Sequence, residues 1–233
     1  MAVPLLLYVV GVTDPHLAIG TSALTVAASA FANLIGHWRA GTVKWGCAAI
    51  FAAAGVVGAL VGSTAGQLVD GQRLLVLFAL LIVAAAITML TRRAVAGDPN
   101  VRIDGKVAAK LVALGLAAGF VSGFFGIGGG FLIVPGIMLG SGLPILNAIG
   151  CSLFSVGAFS LTTAINYAIA GLVSWPIAFE FIAGAALGGL IGTRTAVKVS
   201  EHKQVLNYVF ASVLFVVAAY MLAQPGMTLV AGN

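Results

Sequence analysis

Long apolar runs separated by short polar connections extend along most of the chain. They cover residues 17–38, 43–68, 74–90, 107–121, 131–139, 147–170, 175–197 and 205–222, after a shorter apolar segment at residues 1–11. An α-helix needs about 20 predominantly apolar residues to cross the hydrocarbon core of a bilayer, and most of these runs are close to that length. The pattern therefore predicts an all-α integral membrane protein whose apolar runs are transmembrane helices.

One stretch, GFVSGFFGIGGGFLIVPGIMLG at residues 119–140, departs from this pattern. Gly126, Gly128, Gly129 and Gly130 are too dense for a continuous helix, since each glycine costs roughly 1 kcal/mol relative to alanine. Unwound backbone within a membrane is tolerated only where it is buried in protein or lines a polar cavity. We therefore expect a break between two half-helices here, and we expect the functional site at this break.

The composition supports the membrane assignment. Hydrophobic residues make up 61% of the 233 residues, charged residues only 7%, and the mean hydropathy is +1.15, whereas a soluble domain has about 25% charged residues. The net charge of +5 does not indicate a nucleic-acid partner, because the basic residues lie in short connections, where they determine topology and contact anionic lipid. The lipid bilayer is the expected partner. Cys47 and Cys151 are expected to be small buried hydrophobes.

The two halves of the sequence resemble each other. AIGTS at residues 18–22 matches AIGCS at residues 148–152, and the same offset of 130 residues relates Trp45 to Trp175. We accordingly divide the chain into a first membrane repeat (1–91), a cytoplasmic linker (92–106) and a second membrane repeat (107–233). The counterpart of the glycine cluster would precede Met1, so the first repeat is expected to be N-terminally incomplete.

The positions of the basic residues indicate how the halves are oriented. Three segments contain most of them: the connection with Arg39 and Lys44, the linker, and a connection of the second half at residues 194–203, whereas Arg73 lies on the other side in the threading that follows. The positive-inside rule is satisfied by a membrane topology, or threading of the chain through the bilayer, in which all three segments are cytoplasmic. In this topology the two halves have opposite orientations in the membrane. Inverted repeats with broken helices are the architecture of secondary transporters. The sequence therefore predicts two inverted-topology repeats and a transport function.

Three features of the sequence resemble the sulfite exporter TauE/SafE family: the stretch GFFGIGGGFLIVP, the AIG(T/C)S motif in both halves, and the basic turn before Trp45. The resemblance covers nearly the whole chain and departs from the family pattern only where the first glycine cluster is missing. It implies a multi-pass permease of the bacterial inner (cell) membrane, built from two such repeats. It also implies export or uptake of sulfite, sulfonates or related small organosulfur and carboxylate anions.

The glycine cluster has the properties of an anion-binding site. Backbone N–H groups at a helix N-terminus are unpaired and, together with the helix dipole, attract anions, and glycines let an oxyanion approach the backbone closely. We therefore expect Gly126, Gly128, Gly129 and Gly130 to bind a small anionic substrate. The alternative is that they permit tight helix crossing. That packing role is assigned to four other glycines: Gly58, Gly62, Gly188 and Gly192.

The repeated motif supplies further candidate substrate-binding residues. Thr21, Ser22, Cys151 and Ser152 lie near the start of equivalent apolar runs, beside the predicted breaks. Their hydroxyl and thiol groups could donate hydrogen bonds to a substrate oxygen. The alternative is that the hydroxyls bond to the i−4 carbonyl of their own helix.

Three polar residues inside the predicted spans are candidates for lining the path or for coupling. Asn33 and Asn166 lie one to two turns before the ends of equivalent runs, where amides also serve to hold helices together. Glu180 is a carboxylate within a predicted span, where ionisable groups are expensive and typically functional. Its position close to Trp175 also fits an interfacial, solvated role.

The sequence indicates a transporter and not an enzyme. It contains no nucleophile–base pair or metal-ligand cluster and no nucleotide-binding motif, so we expect no metal and no cofactor. We interpret the chain as a permease that moves a small anion by alternating access; a sulfur-containing anion is the expected substrate, and a second copy of the chain, in a homo-oligomer, is one possible partner. The competing hypothesis is a non-transporting membrane subunit or assembly partner of a larger complex.

Overall fold

The computed structural model describes residues 2–8, 10–91, 98, 101, 103–126 and 130–185. Over these residues the regular structure is entirely helical, as the apolar runs predict. The helices are α1 (Ala2–Tyr8), α2 (Pro15–Arg39), α3 (Trp45–Leu68), α4 (Gly71–Thr91), α5 (Gly105–Phe125), α6 (Gly130–Ser141), α7 (Ile145–Ile169) and α8 (Trp175–Ala185). The run predicted at residues 205–222 lies outside the described residues.

Four of the described helices, α2, α3, α5 and α7, are long and apolar enough to cross a membrane. This confirms the prediction of an all-α integral membrane protein.

Local capping explains where two of these helices, α2 and α5, begin. The carboxylate of Asp14 accepts a hydrogen bond from the His16 N–H at 2.8 Å, with Pro15 in the first turn of α2, and Asp104 accepts from the Val107 N–H of α5 at 2.7 Å. Both are typical N-caps.

The expectation of half-helices on both sides of the glycine-rich break is wrong for the entering helix. α5 has 21 residues and is itself a candidate membrane span, whereas α6 has only 12 residues, about 18 Å at the usual rise. Gly115, Gly119 and Gly123 lie inside α5 without ending it, because the close helix contact that they permit offsets their low helix propensity.

This contact joins α3 and α5, which run parallel with their backbones closely apposed. A Cβ atom at Gly58 would collide with the Leu116 carbonyl, and one at Gly62 with the Phe120 carbonyl. From the other side, a Cβ at Gly119 would collide with the carbonyl of Gly55. The packing role predicted for Gly58 and Gly62 is therefore confirmed. Gly188 and Gly192 lie outside the described residues.

The helices α2 and α7 occupy equivalent sequence positions, and they run antiparallel. Each ends in the same turn: Gly41 and Gly171 have φ of +67° and +73°, a left-handed conformation that glycine adopts without strain. Their N–H groups donate to Trp38 and Ala168 carbonyls, each at 3.0 Å. Equivalent sequences at an offset of 130 residues thus form equivalent helix ends.

By internal contacts, the chain divides into two compact units. The first takes in residues 1–68 and 94–182, and the second contains α4. The first unit has a hydrophobic core in which Phe51 of α3 stacks on Phe159 of α7, with ring centroids 6.2 Å apart. Ile133 and Ile137 of α6 belong to the same core and are fully buried. The returning helix α6 is thereby fixed inside this unit.

Candidate functional site

Gly126, at the end of α5, lies against the AIGTS motif of α2. Gly126 caps α5 in the left-handed conformation, with φ +63° and ψ +23°, and its N–H donates to the Gly123 carbonyl at 3.2 Å. The Ile19 side chain fills the space that a Cβ at Gly126 would need. The Ser22 hydroxyl lies 3.4 Å from the Gly126 carbonyl as a hydrogen-bond donor. The structure therefore brings two predicted site residues, Gly126 and Ser22, together.

The other predicted glycines are only partly described. Gly130 is the first residue of α6, so its backbone N–H is among those that have no acceptor within the helix. Gly128 and Gly129 lie outside the described residues.

Ser22 and Ser152 use their hydroxyl groups within their own helices. Ser22 Oγ donates to the Ile19 carbonyl at 2.9 Å, and Ser152 Oγ donates to the Ile149 carbonyl at 2.8 Å. Both are i−3 bonds, close to the local pattern that serine commonly forms in helices. Both residues are buried, and only Ser22 also contacts the break.

Thr21 and Cys151 each accept a hydrogen bond from the turn that follows the equivalent helix of the other half. Thr21 Oγ1 accepts a hydrogen bond from the Ser174 N–H at 3.0 Å. Cys151 Sγ accepts one from the Lys44 N–H at 3.2 Å. Ser174 and Lys44 are themselves 130 residues apart, so the two contacts are equivalent and reciprocal. Burial of Cys47 and Cys151 as free thiols is confirmed, but Cys151 also acts as a backbone acceptor.

The glycines of the two motifs allow these contacts to form. A Cβ at Gly20 would collide with the Leu172 carbonyl, and one at Gly150 would lie 3.1 Å from the Thr42 carbonyl. Leu172 and Thr42 occupy equivalent positions in the two turns. The third residue of each AIG(T/C)S motif is therefore a point where the backbones of α2 and α7 approach the connection that follows the opposite helix.

The remaining predicted path residues differ in their surroundings. Asn166 Nδ2 of α7 donates to Ser63 Oγ at 2.7 Å and to Thr64 Oγ1 at 3.1 Å, both on α3. It therefore joins two helices. Asn33 is exposed and donates to the Ser29 carbonyl of its own helix at 2.8 Å. Glu180 is also exposed, in the second turn of α8.

Five buried side-chain atoms have no hydrogen-bond partner among the described residues: His16 Nδ1, Gln67 Nε2, Ser122 Oγ, Ser160 Oγ and Tyr167 Oη. Leaving a buried donor or acceptor unpaired costs about 1–3 kcal/mol, so each such group needs an explanation. The sequence patterns single out none of the five as a candidate site residue. Their one sequence signal is a polar side chain within or beside an apolar run.

The opposite end of the first unit has a small cavity of about 250 Å³ beside Lys44 and Trp45. Val101 and Ile103 of the linker also line it, and the Asp98 N–H donates to the Gly142 carbonyl at 3.0 Å. The linker and the basic turn before Trp45 therefore lie at the same end of this unit. The predicted threading places both in the cytoplasm.

Known proteins resemble the chain over nearly its whole length. The family described as Sulfite exporter TauE/SafE matches residues 1–221. A probable membrane transporter protein of Xylella fastidiosa (strain 9a5c) is 50% identical over 232 residues, which cover 99% of this chain and 89% of the relative. The probable membrane transporter protein YunE of Bacillus subtilis is 26% identical over 213 residues, covering 82% and 77% of the two chains.

A plant protein matches a shorter part. The Sulfite exporter TauE/SafE family protein 5 of Arabidopsis thaliana is 33% identical over 91 residues, 39% of this chain and 20% of the relative. No solved structure matches the chain. The family match and the four candidate spans agree with the resemblance seen in the glycine stretch and the repeated motif. The chain belongs to the sulfite exporter TauE/SafE family and is a multi-pass membrane transporter protein.

Proposed function

We propose that this transporter is a secondary permease for a small oxyanion, with no enzymatic activity, in the inner membrane of a bacterium. The observation that supports the proposal most directly is the contact between the break and α2. Gly126 ends α5 in a left-handed cap against Ile19 and Ser22, and α6 begins at Gly130. The N–H groups of the first turn of α6 lack helical partners, and the helix dipole favours an anion beside them.

The substrate class follows from this arrangement and from the family name. Neutral backbone N–H groups bind an anion by hydrogen bonds to its oxygens. Sulfite, a sulfonate or another organosulfur or carboxylate anion has such oxygens, and the family is named for sulfite export. The glycines of the break (Gly126, Gly128, Gly129 and Gly130) are proposed as the binding backbone, with Ser22 beside it.

Alternating access is the proposed mechanism because the equivalent helices α2 and α7 run antiparallel and hold each other's turns. Transporters with inverted repeats move one repeat against the other around a fixed site. The reciprocal contacts of Thr21 with Ser174 and of Cys151 with Lys44 relate the two halves by the same local structure, as an inverted repeat requires.

The proposal can be tested with purified protein in proteoliposomes. Accumulation of labelled sulfite would be measured beside thiosulfate, taurine, acetate and chloride, with empty liposomes as the control. Ligand binding would be measured separately in detergent by thermal shift, since a ligand at a hundredfold excess over its dissociation constant stabilises the folded state by about 2.7 kcal/mol. Selective transport and stabilisation by one oxyanion support the permease. If no anion is transported or bound, the permease proposal is wrong, and the hypothesis of a non-transporting subunit takes its place.

A further inference from the structure

Tyr167, near the C-terminal end of α7, is completely buried, and its hydroxyl has no hydrogen-bond partner among the described residues. Its Cβ lies 2.9 Å from the position that a Cβ would take at Gly20 of α2. Its Oη lies 3.3 Å from the corresponding position at Gly66 of α3. The side chain therefore extends from α2 to α3, and the two glycines provide the space for it.

Two further unpaired groups lie at this end of the unit. The His16 ring of α2 is 6.4 Å from the Tyr167 ring, measured between centroids, and its Nδ1 is buried without a partner in the described part of the chain. Gln67 directly follows Gly66, and its buried Nε2, which can only donate, is likewise unpaired there. The ends of three helices thus present three unused polar groups.

The Tyr167 hydroxyl is close to the end of α5. The position of a Cβ at Gly66 is 2.5 Å from the carbonyl oxygen of Phe124 and 3.3 Å from Tyr167 Oη. Phe124 precedes the Gly126 cap by two residues. The unpaired hydroxyl therefore lies beside the last turn of α5, at the same end of the molecule as the proposed anion-binding backbone.

We propose that Tyr167, His16 and Gln67 bind the oxygens of the transported oxyanion. This inference rests on the proposed function and names side chains of that same site. A hydroxyl, a ring nitrogen and an amide nitrogen can each donate a hydrogen bond, and an oxyanion offers several acceptor oxygens. The nearby carboxylate of Asp14 accepts from the His16 backbone N–H and is exposed, so it caps α2 and leaves the side-chain donors free for the anion.

The amide of Gln67 and the hydroxyl of Tyr167 are uncharged donors, which suits a transported ligand. Hydrogen bonds from uncharged groups to a charged acceptor are stronger than those between neutral groups, yet they bind less tightly than a fixed ion pair and allow release. An acceptor with oxygens on several sides also explains why the three groups come from three different helices.

Tyr167→Phe tests the proposal because it removes only the unpaired hydroxyl. The matched control is Thr162→Val on the same helix, since Thr162 Oγ1 already donates to the Ala158 carbonyl at 2.8 Å. Thermal shift with sulfite would give the apparent dissociation constant, and proteoliposome uptake would give KM. Tyr167→Phe is expected to weaken sulfite binding about tenfold to a hundredfold, with an unchanged or higher unfolding temperature in the absence of anion. Gln67→Met is expected to weaken binding in the same direction.

The outcomes separate the two proposals. If wild-type protein binds and transports sulfite and Tyr167→Phe does so with unchanged affinity, the permease stands and the donor site is wrong. A lower unfolding temperature of ligand-free Tyr167→Phe, with sulfite affinity retained, would assign the hydroxyl a structural role and also overturn the site. If the wild-type protein binds none of sulfite, thiosulfate, taurine and acetate, both proposals fail.

Discussion

Thr21 Oγ1 accepts a hydrogen bond from the backbone N–H of Ser174 across 3.0 Å, although the two residues are separated by 153 positions. The equivalent contact, from the Lys44 N–H to Cys151 Sγ, has a donor–acceptor distance of 3.2 Å. Each AIG(T/C)S motif thus satisfies a backbone donor in the turn that follows the helix of the other half. Because each bond joins one helix to the turn that follows the other, the pair constrains how α2 and α7 are placed.

Thr21→Val is expected to destabilise the protein by about 1 kcal/mol, because an isosteric side chain without the oxygen leaves the part-buried Ser174 N–H without its acceptor. Thr21→Ser retains the acceptor and is the control. The unfolding temperature in detergent would be compared for both variants. Equal stability of Thr21→Val and Thr21→Ser would show that the bond does not hold the turn.

Cys151→Ser is expected to remain close to the wild type, since the serine oxygen can accept from the Lys44 N–H in place of sulfur. Cys151→Ala removes the acceptor of this part-buried bond and is expected to cost about 1 kcal/mol. Chemical unfolding monitored by tryptophan fluorescence would measure both. The reverse order of stability would contradict the reciprocal role of Cys151 and Thr21.

Gly126→Ala is expected to lower the rate of anion transport in protein that is still folded. The left-handed cap disfavours any Cβ by about 1–2 kcal/mol, and here the added methyl group would also displace Ile19 from the break. Gly142→Ala is the matched control: Gly142 has φ +74°, and no described atom lies within 4 Å of its Cβ position. Initial uptake rates in proteoliposomes, normalised to folded protein, would be measured. Equal losses of uptake in the two variants would argue against a special role for the cap after α5.

Gly119→Ala is expected to lower stability by at least about 1–3 kcal/mol, the usual cost of overpacking, because the new Cβ would collide with the Gly55 carbonyl of α3. Gly36→Ala adds the same methyl group to α2, where no described atom lies within 4 Å. It is expected to stabilise the helix by about 0.5–1 kcal/mol. Differential scanning fluorimetry would measure the unfolding temperature of the two variants. An unchanged unfolding temperature of Gly119→Ala would contradict the close contact of α3 and α5.

Asn166→Ala is expected to cost about 1 kcal/mol, a typical value for an interhelical hydrogen bond in a membrane, since it removes the donor to Ser63 and Thr64. A double-mutant cycle with Ser63→Ala would measure the coupling free energy. If the coupling free energy is near zero, and transport is impaired by Asn166→Ala but not by Ser63→Ala, the path-lining role predicted from the sequence is favoured instead.

The candidate site was only partly predictable. Gly126 and Ser22 do meet at the break, and the repeated motif predicts Ser22 as a site residue. The sequence does not point to Tyr167, His16 or Gln67, because each is a single polar residue without a spacing rule. Their shared property, a buried polar atom with no described partner, depends on which helices approach each other.

Hydropathy alone is enough to assign the membrane class and to place the helices. α2 and α7 begin and end within about two residues of the predicted runs, because apolar length acts locally, as does the Asp14 cap at the start of α2. Partners distant in the chain are a matter of tertiary structure. α5 continues through Gly115, Gly119 and Gly123 because α3 packs directly on those glycines, and Thr21 bonds to Ser174 because α7 runs antiparallel to α2. Local helix propensity contains no information about which helix packs on α5 or which residue bonds to Thr21, so only the packing of the helices decides these two contacts.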